Sequence, residues 1–190
     1  MIRTRVTKIF YCYWVLLVAF LCIFVSYGGA IYTFSIFVKP LEYDLDWNRG
    51  SIMIAITIYY MVLAIASPFV GRIVDLYGAR KLVALGAIIT SLGFILLMIT
   101  NSLWLFYISY VIIGIGTAAF GTIPATAVVT RWFVKRRGLA IGIISAAVGF
   151  GGVVFSPLTG GLLIPNIGWR YTFLALAILT FIIIVPLAWI

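Results

Sequence analysis

Charge is what this sequence has least of. Of its 190 residues, 13 are lysine or arginine, 4 are aspartate or glutamate and none is histidine, so 9% of the chain is charged and 65% is hydrophobic. A soluble domain carries about 25% charged residues to clothe its surface, and a chain this poor in charge does not have water as its main solvent. The missing histidine and scarce acids also remove the means of hydrolysis within a membrane. That chemistry needs paired acids, a Ser/His or Ser/Lys arrangement or metal ligands, and the apolar runs hold none of these sets. The chain therefore does not read as an enzyme, and no cofactor or metal site is expected. Cysteine is scarce as well: Cys12 and Cys22 fall in one apolar run, where two positions on one helix cannot meet as a disulfide. They read as packing residues. With no arginine ladder and no filter-like loop in any run, a voltage sensor or channel is disfavoured too.

What is present is apolar length. Hydrophobic runs occupy about 10–38, 51–70, 82–99, 103–130, 139–163 and 171–190, each reaching the 18 or so residues that cross a hydrocarbon core of about 30 Å. They are continuously apolar rather than alternating, which selects helices over the strands of a barrel. The expected fold is all-α, a polytopic membrane protein of six transmembrane helices. The basic start and the small residues Gly28-Gly29-Ala30 resemble a signal peptide, but the first run exceeds an h-region of about 7–15 residues and five more follow it.

The formal net charge of +9 raises nucleic acid as a partner, and position answers against it. With the N-terminus in the cytoplasm, the inner segments hold Arg3, Arg5, Lys8, Arg72, Arg80, Lys81, Arg131, Lys135, Arg136 and Arg137. The outer ones hold only Lys39, Arg49 and Arg170. This asymmetry obeys the positive-inside rule, and cations split among short loops beside a bilayer are not a nucleic-acid surface. The expected location is the cell membrane, multi-pass, with the lipid bilayer as first partner.

Two stretches echo each other: "SPFVGRIVDLYGAR" at 67–80 and "SPLTGGLLIPNIGWR" at 156–170, each preceded by Arg-Gly about one helix upstream, at Arg49-Gly50 and Arg137-Gly138. Span two therefore resembles span five in the opposite orientation, an inverted 3+3 repeat of the kind that builds one half of a large transporter class. Spans one and four then correspond, and both are interrupted by helix-weakening residues, Gly28-Gly29 in one and Gly114, Gly116, Gly121 and Pro124 in the other. Such residues serve close packing in membrane helices or line a cavity where repeats meet.

Residues 71–81, "GRIVDLYGARK", form the short connection between spans two and three. Gly71 and Gly78 permit close approach and positive φ, and Arg72, Arg80 and Lys81 anchor the turn. Asp75 is the unexplained residue: it can pair with these cations or face the positive end of another helix. The pattern G-x-x-x-D-x-x-G-x-R-K at Gly71, Asp75, Gly78, Arg80 and Lys81 resembles the loop signature of the major facilitator superfamily, with Leu76 and Ala79 where basic residues are common. The resemblance implies a cytoplasmic latch between two six-helix halves, with Asp75 and Arg80 in it. The pattern G-x-x-x-S-P-x-x-G-G at Gly152, Ser156, Pro157, Gly160 and Gly161 is similar to the fifth-helix motif of the antiporters in that superfamily. The fourth-helix arginine tied to proton coupling falls near Tyr110, so that feature is missing. "FVKPLEYDLDWNRGSI" and "RWFVKRRGLAIGIISAAVGFGG" resemble the oxalate/formate and monocarboxylate branch. The implied molecule is the N-terminal half of a twelve-helix transporter for a small solute, an organic anion such as a mono- or dicarboxylate.

For binding, the spans offer hydroxyls and aromatic edges: Tyr27 and Tyr32 in span one, Tyr59 and Tyr60 in span two, Thr117 and Thr122 in span four. Each tyrosine can equally fill a gap between helices. Because no charge lies deep in any span, the resemblance implies that the cations holding a carboxylate belong to a second six-helix half, supplied by the same gene product or by a second copy. The run ending at Trp189-Ile190 without a charged linker reads as a break in a longer chain. A half-size protein pairing with itself, and a membrane partner that does not transport, are the alternatives.

Overall fold

The computed structural model describes residues 3–134 and 136–189, with side chains from Cys12 onward. The side chains of Arg3, Arg5 and Lys8, and Lys135 and Ile190 altogether, lie outside the described residues. Among these, every regular element is helical: α1 (Arg3–Ser26), a π-helical segment (Tyr27–Tyr32), α2 (Phe34–Leu45), α3 (Arg49–Tyr77), α4 (Ala79–Met98), α5 (Leu103–Phe120), α6 (Thr122–Trp132), α7 (Arg137–Pro157), a second π segment (Leu158–Leu163) and α8 (Ile164–Trp189). They join into five helices long and apolar enough to cross a membrane: Cys12–Leu45, Arg49–Tyr77, Ala79–Met98, Leu103–Trp132 and Arg137–Trp189. The last holds 53 residues and is broken at Gly168, whose φ of 77° and ψ of 166° are non-helical.

Local chemistry marks the ends. Asn48 caps α3 by accepting from the Gly50 N–H at 2.9 Å, and Ser102 caps α5 by accepting from Leu105 at 3.3 Å; each satisfies one of the orphan donors of a helix start. Asp46 turns α2 off in the left-handed region at φ 55°. The helix of span one widens where Gly28 and Gly29 fall, and Thr33 donates its hydroxyl to the Gly29 carbonyl at 2.6 Å. In span four Gly121, with ψ of −135°, separates α5 from α6. Pro157 closes α7 and opens the second π segment, because proline removes one helical N–H.

Packing follows the small residues. A side chain on Gly86 would meet the Gly116 carbonyl at 2.7 Å, and one on Gly93 would meet the Ile113 N at 3.2 Å, so α4 and α5 touch backbone to backbone. A Cβ on Gly151 would stand 2.9 Å from the Phe24 carbonyl and 3.0 Å from the Gly28 N, so α7 closes on span one in the same way. Membrane helices lack the hydrophobic drive of water and rely on such contact. Ser91 of α4 donates to the Ala177 carbonyl of α8 at 3.0 Å. An aromatic core, with Phe37 stacked on Phe173 at 3.9 Å between centroids and Tyr110 edge-on to Phe34 and Phe106, fills the space between α2, α5 and α8.

Candidate functional site

The two interruptions of span one and span four frame a polar face. The π segment contributes Tyr27 and Tyr32, both half-buried; α3 contributes Tyr60, 49% exposed, and Tyr59, fully buried. The hydroxyls of Tyr27 and Tyr32 lie within electrostatic reach of Tyr60, and those of Tyr27 and Tyr60 within reach of Tyr59. The Tyr59 and Tyr60 rings meet edge-on at 5.3 Å. Thr122, at the α5–α6 break, donates to the Tyr27 hydroxyl at 3.5 Å. The fold therefore brings the four tyrosines together. Two of the expected residues stand behind the face rather than on it. Thr117 is buried, its hydroxyl returned to the carbonyls of Ile113 and Gly114 at 2.8 and 3.2 Å, and Tyr59 is buried within reach of Thr117.

The helix-bend residues explain how Tyr32 is held. A Cβ on Gly152 would stand 3.2 Å from the Tyr32 ring, and one on Gly160 would stand 3.1 Å from Ile36. The Tyr32–Ile36 stretch of span one thus lies on the glycines of this motif. Ser156 is half-buried, Pro157 is exposed, and Gly161 faces open space. The Gly152–Tyr32 contact is one that sequence reasoning misses, since the two residues are far apart in the chain. The spacing of the motif shows that a helix is thinned there, but not what rests in the thinned face.

Residues 71–81 are helical rather than a loop. α3 runs through Gly71 and Asp75 to Tyr77, Gly78 alone breaks the chain at φ 83°, and α4 starts at Ala79. Gly78 uses its conformational freedom, whereas Gly71 sits in open space in the last turns of α3. Arg131, at the end of α6, donates to the Asp75 carboxylate at 2.5 Å, both side chains being more than half exposed. The sequence offers Asp75 the cations of its own stretch, Arg72, Arg80 and Lys81, or the positive end of another helix; the ion pair observed is instead with Arg131. Its partner stands outside the loop signature, 56 residues on, and only the approach of α3 to α6 shows it. Arg80 and Lys81 occupy the first turn of α4 and are exposed.

Among the described residues no charged side chain is buried; the buried polar ones are serines and threonines. Tyr110 fills its position with aromatic packing against Phe34 and Phe106. At the other end of the molecule, Trp169 donates its indole N–H to Asp44 at 2.5 Å, and Arg170 lies over the Trp169 ring at 4.4 Å while donating to the Met98 carbonyl and the Asn101 side chain. These contacts tie span one to α4 and α8, and composition alone gives no signal for them.

Five long apolar helices, two of them interrupted beside a cluster of tyrosines, have the form of a multi-pass membrane protein. The chain belongs to the Major Facilitator Superfamily, whose family model matches residues 19–190. It is 34% identical over 136 residues, 72% of this chain, to an MFS-type transporter of Gibberella moniliformis. It is 29% identical over 175 residues, 90% of this chain, to the oxalate:formate antiporter of Oxalobacter formigenes, and 27% identical over 173 residues, again 90% of this chain, to human monocarboxylate transporter 7. The chain spans 32%, 41% and 33% of the length of these three relatives.

Proposed function

We propose that this chain is the first six-helix half of a secondary transporter that moves a small organic anion, a mono- or dicarboxylate, by alternating access. The single observation that carries the reading is the gathered hydroxyl face of Tyr27, Tyr32 and Tyr60 at the interruptions of spans one and four, backed by Tyr59 and Thr117. Discontinuous helices at a repeat interface are where transporters of this kind bind solute. The similarity to proteins named as an oxalate:formate antiporter and a monocarboxylate transporter supports the anion, and the fraction of those relatives that the chain covers supports a second half.

Six crossings follow from length. A continuous helix of 53 residues would be about 80 Å long, against a core of about 30 Å, so the segment Arg137–Trp189 crosses twice with Gly168 at the turn. The two crossings complete an inverted 3+3 repeat in the cell membrane, with the N-terminus in the cytoplasm. In this arrangement Asp75, Arg131, Arg80 and Lys81 form the cytoplasmic latch, and the Gly152–Gly161 motif sets the bend against which Tyr32 rests.

Moving a carboxylate into this site requires replacing its water, and neutral hydroxyls do so with roughly half the strength of charged donors. The chain alone, reconstituted in vesicles, should therefore show no saturable uptake of oxalate, formate or lactate. Joined by a second half that carries buried cations, it should transport, and Tyr27→Phe, Tyr32→Phe or Tyr60→Phe should each weaken apparent affinity about two- to tenfold. Saturable uptake by the lone chain, at one chain per site, would overturn the reading.

A further inference from the structure

Proline explains one of the two π segments. Pro157 stands immediately before Leu158–Leu163, where its missing N–H breaks the α ladder. Neither α1 nor the segment Tyr27–Tyr32 contains a proline. Gly28 and Gly29 allow a distorted turn there but do not require one. A π turn is rare, and in an apolar solvent, where backbone groups have no water to bond, one persists where its neighbours hold it.

Two contacts hold this one. The ring of Phe155, on α7 and 2% exposed, covers Gly28 so closely that a Cβ on the glycine would stand 2.3 Å from it. The Thr33 hydroxyl donates to the Gly29 carbonyl at 2.6 Å, the carbonyl that an α-helix would give to the Thr33 N–H, while that N–H points to the Ile31 carbonyl. Thr33 is part of span one itself. Phe155 acts on it from another helix.

The wide turn decides where two tyrosines point. In an α-helix a residue five positions on lies about 140° round the axis, so Tyr27 and Tyr32 would face different ways. In a π turn the bonds run between i and i+5, and a residue five positions on stacks over the first. Both hydroxyls accordingly lie within electrostatic reach of Tyr60 on α3. α7 touches the segment at both ends, with Phe155 on Gly28 and Gly152 beneath Tyr32.

We propose that Phe155 is a positioning residue of the tyrosine face: seated on Gly28, its ring keeps span one in π register and so turns Tyr27 and Tyr32 to one side. The role rests on the reading of that face as the solute site, whereas the control of register does not. It makes the face a joint property of two helices, because span one without α7 against it returns to an α-helix on which the two tyrosines diverge.

Cysteine pairs test this in detergent, in a chain carrying Cys12→Ala and Cys22→Ala. A short bis-maleimide should link the thiols of Tyr27→Cys and Tyr60→Cys, and in a second chain those of Tyr32→Cys and Tyr60→Cys, as read by mass spectrometry of the digest. Phe155→Ala should abolish one of the two links and spare the other, since loss of the π turn rotates one position against the other. Gly28→Ala, whose added carbon takes the place of the ring, should do the same and serves if Phe155→Ala fails to fold. Deletion of Ala30 then makes the two tyrosine positions i, i+4 neighbours on one face of an α-helix, and it should restore both links without the ring. Survival of both links in Phe155→Ala, or their joint loss without rescue by the deletion, would reduce the ring to packing and overturn the proposal. In a transporter assembled with its second half, Phe155→Ala should raise the KM for solute and the deletion should lower it again. An unchanged KM where Tyr32→Phe does weaken affinity would overturn the positioning role. If Tyr27→Phe and Tyr32→Phe leave transport unchanged while the links behave as expected, the solute reading falls and the control of register stands.

Discussion

At the scale of single residues, what distinguishes this chain is how it disposes of polarity in an apolar solvent. Several buried hydroxyls return to a carbonyl one turn back, as Thr33 does to Gly29, Ser109 to Leu105 and Thr172 to Gly168, because an unpaired polar group out of water costs several kcal/mol in hydrocarbon. Those of Thr90 and Thr159 find no partner among the described residues. Asp75 and Arg131 are the opposite case, a charge pair left at the surface. Such exposed pairs contribute about 0–1 kcal/mol. Asp75→Asn and Arg131→Gln should therefore move the thermal midpoint of the purified chain little, while slowing exchange by a transporter assembled with its second half. A stability loss well above that range would make the pair a structural anchor and sink its assignment to a gate.

At the scale of elements, helix contact is set by glycine rather than by charge. A side chain on Gly116 would meet the Thr90 N and the Gly86 carbonyl, each at 2.7 Å, and backbone atoms cannot step aside. Gly116→Ile should destabilise the bundle by at least the roughly 1–3 kcal/mol typical of overpacking. Gly71→Ala, in a helix and facing open space, should raise stability by roughly 0.5–1 kcal/mol. The thermal midpoint of the monodisperse fraction in detergent reads both, and a Gly116→Ile chain as stable as the parent would refute the backbone contact between α4 and α5. Hydropathy cannot distinguish these two glycines. It also reads 71–81 as a connection, since the charges of that stretch end the apolar run. They do not end the helix, whose backbone bonds continue through Asp75 to Tyr77 until Gly78 breaks them.

At the scale of the whole molecule, the crossing number rests on Gly168 and on the length of the segment around it. Single cysteines placed at Asn101, Val134 and Asn166, in a background without Cys12 and Cys22, separate the arrangements. An impermeant thiol reagent should reach 101 and 166 from one side of the membrane and 134 from the other. Labelling of 134 and 166 from the same side would mean that the last segment does not cross between them, and the six-helix half would fall.

Sequence alone determined the solvent and the repertoire of this protein. Its runs of apolar residues, its few charges and the G-x-x-x-D-x-x-G-x-R-K pattern state a bundle of membrane helices and its family, because hydropathy and local motifs are short-range properties written in consecutive residues. Only the tertiary structure decided which residues meet: Arg131 with Asp75, Gly152 beneath Tyr32, Trp169 with Asp44, and Tyr59 shut inside while Tyr60 stays open. The physical reason is that a membrane helix presents apolar side chains on every face. With little amphipathic contrast to orient it, each helix takes its rotation and depth from the close fit of glycines and rings on its neighbours, and that fit exists only once the helices have packed.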